Sequence, residues 1–114
     1  MWPSPLLQRP RKRSGSKFLQ FGIAPPLMAL VKPIRLSDHA LRYMSKRGFT
    51  IAEVEEAIRT ASWQLAELGR LDCRKNFSYG AEWNGKVYAT KQVRPVFVEE
   101  AAEIVVVTVY TYYF

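Results

Sequence analysis

Histidine and cysteine are almost missing from this sequence: its 114 residues include one of each, His39 and Cys73. A lone cysteine excludes an internal disulfide, and one histidine with one cysteine falls short of the three or four protein ligands of an ordinary zinc site. No metal site and no cofactor is therefore expected, and a reducing cytoplasm is the expected compartment. Long apolar runs are also lacking. The stretch from Phe18 to Val31 is interrupted by Gln20 and by Pro25-Pro26, and the run from Ile104 to Phe114 is shorter than the ~20 residues that span a bilayer, so no membrane partner is expected. Phosphate-cradling glycine loops, carboxylate metal clusters and a nucleophile elbow are absent, which leaves nucleotide hydrolysis, metal-dependent nuclease action and hydrolase chemistry unsupported.

Acid is missing from the first 27 residues, where Arg9, Arg11, Lys12, Arg13 and Lys17 stand unopposed, a local charge of +5. Residues 28 to 114 carry 12 bases against 10 acids, only +2. Most of the formal charge of +7 thus belongs to the leading segment, and any nucleic-acid argument for the remainder must rest on where its bases lie. That segment holds five of the seven prolines and no regular periodicity, so residues 1–30 are expected to be a disordered basic extension. Met28 leads directly into patterned sequence, which makes a misassigned start with Met28 as the true one an equal alternative. Residues 31–114 are expected to form a single α+β domain.

Ser37 is a good N-cap for a helix from about Asp38 to Arg47, with Gly48 suited to the position just past its end. At about 100° per residue, Ala40, Leu41 and Met44 form the buried stripe, while His39, Arg42, Tyr43 and Lys46 gather on the other side. Thr50 with Glu53 makes a capping box and Phe49 with Val54 a hydrophobic staple, so a second helix begins at Ile51 and ends near Ala61. From Gly69 the period drops to two, with Leu71, Cys73 and Phe77 opposed to Asp72, Arg74, Asn76 and Ser78. Asn84-Gly85 signals a tight hairpin into a strand from Lys86 to Arg94, and Pro95 implies an edge or a loop beyond it. A last strand from Ile104 to Tyr113 is expected to turn Val105, Val107 and Val109 inward and Thr108, Tyr110 and Tyr112 outward.

Segregated helices and strands give an α+β class: two N-terminal helices packed on one face of a small antiparallel sheet of three or four strands. The opposite face then collects Arg74, Asn76, Tyr88, Thr90, Gln92, Arg94, Thr108, Tyr110 and Tyr112.

The run Asp38-His39-Ala40, then Arg42 and Arg47-Gly48, the Glu53-Val54 helix and the ending Val107-Thr108-Val109-Tyr110 resemble the bacterial family catalogued as domain of unknown function 4258. The resemblance covers about residues 34 to 114 and implies the RelE- and ParE-like toxin fold, whose relatives include ribonucleases. It thereby implies a toxin-like protein whose partner is RNA or the ribosome, and it is compatible with an acidic, antitoxin-like protein partner. The competing class is a non-catalytic module that binds protein or nucleic acid, because a fold alone does not carry an activity.

Within the ribonuclease reading, His39 is the one side chain whose ordinary pKa lies near neutrality, as a group exchanging protons with a ribose hydroxyl requires. Arg42 and Arg94 are candidates to stabilise charge on phosphorus, and Tyr110 to donate a phenolic proton or stack a base. Lys46, Arg47, Arg74 and Tyr112 are the candidate nucleic-acid contacts. Each has an ordinary alternative: helix capping or a sheet contact for His39, solvation or ion pairing for the bases, cross-strand packing for the tyrosines.

Overall fold

The structure is a computed structural model, and it describes residues 32–114. The expected extension over residues 1–30, with its alternative start at Met28, lies outside them. Among the described residues no helix is long and apolar enough to cross a membrane.

The order of elements is β1 (Ile34–Leu36), α1 (Asp38–Arg42), α2 (Met44–Arg47), α3 (Ile51–Thr60), β2 (Gln64–Leu65), a 3-10 turn (Glu67–Gly69), β3 (Leu71–Asp72), β4 (Lys75–Trp83), β5 (Lys86–Glu99) and β6 (Ile104–Tyr113). The strands form one six-stranded sheet in the order β1-β6-β5-β3-β2, with β4 joined to β5 beside β3. Two helices on a three- or four-stranded antiparallel sheet is thus overturned: the described residues form six strands, three short helices and a mixed sheet in which β1 runs parallel to β6. Three residues of β1 and two of β2 are too short to show a period of two, so sequence patterning passes over them.

The first expected helix is broken at Tyr43, whose φ of −95° and ψ of 3° leave the helical region. Its N–H bonds to Ala40 O, three residues back, which tightens the turn and starts α2 in a new direction. Ser37 does cap α1, accepting from Ala40 N at 3.1 Å, and its own hydroxyl donates to Val107 O on β6. Leu41, expected in the buried stripe, is 43% exposed because α1 turns only Ala40 fully inward. The capping box of α3 forms from both sides, with Thr50 N donating to Glu53 Oε1 and Glu53 N to Thr50 Oγ1.

α3 lays Val54, Ala57 and Ile58 on the sheet against Val93 and Phe97 of β5, and the core continues through Leu36, Ala40, Trp63, Ile104, Val106 and Val109. Each fully buried Val or Ile contributes about 2 kcal/mol. Asn84 and Gly85 take φ of 53° and 83°, as the hairpin requires.

Pro95 does not end β5. The strand runs through it to Glu99, and Pro95 is buried opposite Val109. Its carbonyl accepts from Cys73 N, so the side that lacks an N–H faces the gap between the end of β3 and the start of β4, where no ladder donor is needed. β6 has the expected limits, but its first half turns the other way from the expected faces. A bulge shifts the register so that Phe97 pairs with Val106 and Val96 with Thr108. Ile104 and Val106 are therefore buried in place of Val105 and Val107, while Val109 is buried as expected and Thr108, Tyr110 and Tyr112 do lie on the reverse.

Candidate functional site

Beyond Leu36, β1 no longer covers the outer side of β6, and the α1–α2 corner takes its place there. That corner hangs over the edge between the helix-covered face and the open face, which lets helix residues reach the reverse side of the sheet. Arg47 makes the crossing. Its guanidinium donates to Thr108 Oγ1 at 3.2 Å and to Val109 O at 2.9 Å, while Tyr113 Oη donates back to Arg47 O at 3.0 Å.

A ladder of rings and guanidinium groups follows from there. The His39 ring lies 4.7 Å from that of Tyr43, Arg47 stacks 4.3 Å above Tyr43 and 5.2 Å from Tyr110, and Arg94 stands 5.4 Å from Tyr110. Arg94 in turn donates to Asp72 Oδ2 at 2.8 Å, and Gln64 donates to Asp72 Oδ1 at 2.9 Å. Stacking over aromatic faces fixes the guanidinium planes with little loss of charge, since a ring is a weaker partner than a carboxylate.

Two hollows share this surface. One, of about 540 Å³, lies between the β2–β3 hairpin and the open face and is lined by Leu65, Leu68, Arg70, Asp72, Arg94 and Tyr110 among others. The second, of about 550 Å³, is lined by Ser37, His39, Arg47, Arg70, Val107, Thr108 and Tyr110. Arg70, Thr108 and Tyr110 border both, so the hollows adjoin and form one open groove.

The charges of the groove are not equivalent. Burial works against the charge of Arg94, but the hydrogen bonds to Asp72 and Tyr112 more than offset it, and its pKa is raised. Asp72, buried to 2% exposure, neutralises it in place. Arg47 bonds only neutral groups, and the Arg70 side chain has no hydrogen-bond or ion-pair partner among the described residues. Glu67 lines the same hollow, so the groove sets Arg47, Arg70 and Arg94 against Asp72 and Glu67, and its positive surplus rests on Arg47 and Arg70, which no carboxylate bridges.

Of the expected site residues, His39, Arg47, Arg94 and Tyr110 line the groove together. Arg42, Lys46, Arg74 and Tyr112 line neither hollow. Arg42 is exposed on α1, Lys46 stays 5.6 Å above the Tyr43 ring, and Arg74 reaches Gln92 and the Tyr112 ring farther along the sheet. Tyr88, expected on the open face, lies 5.8 Å from Tyr113 in an aromatic cluster with Trp83 and Tyr79. Arg70 is not among the residues expected on the open face, although the period of two that starts at Gly69 puts it in parity with Asp72 and Arg74.

Burial, with Asp72 alongside, pushes the Cys73 thiol up to about 12, so it stays protonated at neutral pH and offers no thiolate. Among the described residues no group of three or more His, Cys, Asp or Glu could hold a metal ion. The chemistry this groove can supply is anion binding by guanidinium groups beside one imidazole and one half-exposed phenol.

No curated protein and no solved structure matches the chain, so the RelE- and ParE-like fold has no structural neighbour behind it. The family described as "Domain of unknown function (DUF4258)" matches residues 36–111, well over half the sequence and spanning every strand and helix of the groove from Leu36 onward, and the chain belongs to that family.

Proposed function

We propose that this groove binds single-stranded RNA and that the protein cleaves it with His39 as the proton-exchanging group. The observation that carries the reading is the convergence of Arg47, Arg70 and Arg94 around Tyr110, with His39 at the groove's end. Guanidinium forks suit phosphate oxygens, and Tyr110 offers a ring face to an unstacked base. In cleavage of this kind the ribose 2′-oxygen bonds to the adjacent phosphorus as its proton leaves, and the bond to the 5′-oxygen breaks as that oxygen gains a proton. A 2′,3′-cyclic phosphate and a 5′-hydroxyl result. His39 takes or gives one of these protons, and the arginines hold the charge that gathers on phosphorus. In the toxin-like reading, an acidic protein partner neutralises the same guanidinium groups.

The test uses the full chain and a labelled single-stranded RNA, titrated at several salt concentrations. Arg70→Ala is expected to weaken binding about tenfold and to reduce the salt slope by about one, because one phosphate contact and its counterion release are lost. His39→Ala is expected to keep binding and lose cleavage. RNA affinity equal in the unaltered and Arg70→Ala proteins sinks the binding reading. Equal cleavage by folded His39→Ala sinks the catalytic one and leaves a binding module.

A further inference from the structure

The wall of the groove opposite Tyr110 is the tip of the β2–β3 hairpin, and it is built in an unusual way. Ala66 N donates to Arg70 O at 2.8 Å and Arg70 N to Glu67 O at 3.2 Å, which closes a tight loop over residues 66–70. Inside it Leu68 and Gly69 both take left-handed backbone, with φ of 62° and 73°. Glycine adopts that conformation freely, but leucine pays steric strain for it, and the usual occupants are glycine and asparagine. No burial recompenses Leu68, which is 82% exposed, and its neighbour Leu65 is 52% exposed. Both side chains line the groove beside Arg70. A strained backbone holding an exposed apolar side chain against a basic groove is the kind of local conflict that marks binding residues.

We propose that Leu68 is a base-contacting residue: the Leu65–Leu68 tip is the apolar wall on which a nucleobase packs while Arg70 takes the phosphate attached to it. This rests on the RNA reading of the groove and gives that reading a division of labour. Arg47 and Arg70, outnumbering the one unpaired carboxylate of the groove, Glu67, select a polyanion, and the leucines select one that carries flat apolar faces. An inorganic phosphate chain has the charge and lacks the faces.

The experiment compares two probes on the full chain, a short oligouridylate and inorganic polyphosphate, with the unaltered, Leu68→Gly and Arg70→Ala proteins. Glycine accepts the left-handed backbone, so Leu68→Gly keeps or raises the unfolding midpoint. Its affinity for oligouridylate is expected to fall about tenfold, the worth of one buried apolar contact, while polyphosphate binding stays unchanged. Arg70→Ala is expected to weaken both. Oligouridylate affinity unchanged in Leu68→Gly overturns the inference while a loss in Arg70→Ala preserves the RNA reading. An equal loss for both probes, or a lowered midpoint, overturns it as well, since the tip then only shapes the loop that carries Arg70. If neither substitution moves oligouridylate affinity, the RNA reading and the inference fall together.

Discussion

Asp72 and Arg94 hold each other across β3 and β5, with Asp72 Oδ2 at 2.8 Å from Arg94 Nη2 and 3.3 Å from Nε. The carboxylate is buried and the guanidinium is about a quarter exposed, so the pair is unequal. Removing the arginine strands a buried anion, while removing a free arginine strands nothing.

That asymmetry separates two arginines of the same groove. Arg94→Ala is expected to destabilise the fold by about 2 kcal/mol, because Asp72 keeps only the Gln64 amide. Arg70→Ala is expected to stay within about 0.5 kcal/mol of the unaltered protein. Urea unfolding of the two variants checks this, and equal stabilities contradict the assignment of Arg94 as the neutralised member. Loss of RNA binding in Arg94→Ala is then interpretable only beside its stability, whereas loss in Arg70→Ala speaks directly for the groove.

Gly48 supports a second expectation. It takes φ of 80°, and a Cβ there meets the Tyr113 hydroxyl and comes within 2.7 Å of the Trp83 ring, which stacks on Tyr113 at 4.8 Å. Both the backbone and the packing resist a side chain. Gly48→Ala is expected to cost about 3 kcal/mol, a drop in midpoint of more than 10 °C for a domain of this size. A thermal melt decides it, and a shift of only a few degrees contradicts the close packing of the aromatic cluster.

How much of this was legible before the structure depends on the length and the signal of each segment. β6, the Asn84-Gly85 hairpin and the Thr50–Glu53 capping box were readable because each carries a strong local rule. β1 and β2 were not, since two or three residues carry no period and their pairing is set by distant strands. Pro95 reads as a strand end because the sequence does not reveal that its missing donor faces the gap between the end of β3 and the start of β4. The groove was half legible. His39, Arg47, Arg94 and Tyr110 were named from residue type and face, but only the broken helix at Tyr43 and the edge left open by β1 bring them together. Leu68 gave no sign at all, as leucine does not announce a left-handed turn.

Alkaline pH tests the burial of Cys73. Its thiol is pushed from 9.0 to about 12 by burial and by Asp72, and Tyr113 from 10.0 to about 12, also by burial first. Both are acids whose neutral form the fold favours. Their contribution is fully present below pH 9, and it is lost as pH rises toward 12 because the unfolded chain releases these protons first. Stability measured from pH 8 upward is expected to decline, and Cys73→Ala is expected to flatten the first part of that decline. An identical pH profile in the variant means that the thiol is not held neutral in the fold.

Glu53 has two duties that one pair of substitutions can separate. Its Oε1 closes the capping box of α3, and its Oε2 lies 2.9 Å from Nζ of Lys91, a lysine only 7% exposed that also donates to Gly48 O. Glutamine can still cap through its carbonyl oxygen but carries no charge for the lysine, whereas alanine does neither. Lys91 keeps Gly48 O and the Tyr79 ring 5.4 Å away in both variants, so part of its solvation remains. Glu53→Gln is therefore expected to cost about 1–2 kcal/mol, the charge-assisted bond alone. Glu53→Ala is expected to cost about 1 kcal/mol more, the added worth of the cap. Thr50→Ala, which removes the cap and leaves the ion pair, is expected to cost about 1 kcal/mol by itself. Denaturant unfolding of the three variants measures the split. If Glu53→Gln matches the unaltered protein, the buried lysine does not depend on Glu53, and the pair that ties α3 to β5 contributes only geometry.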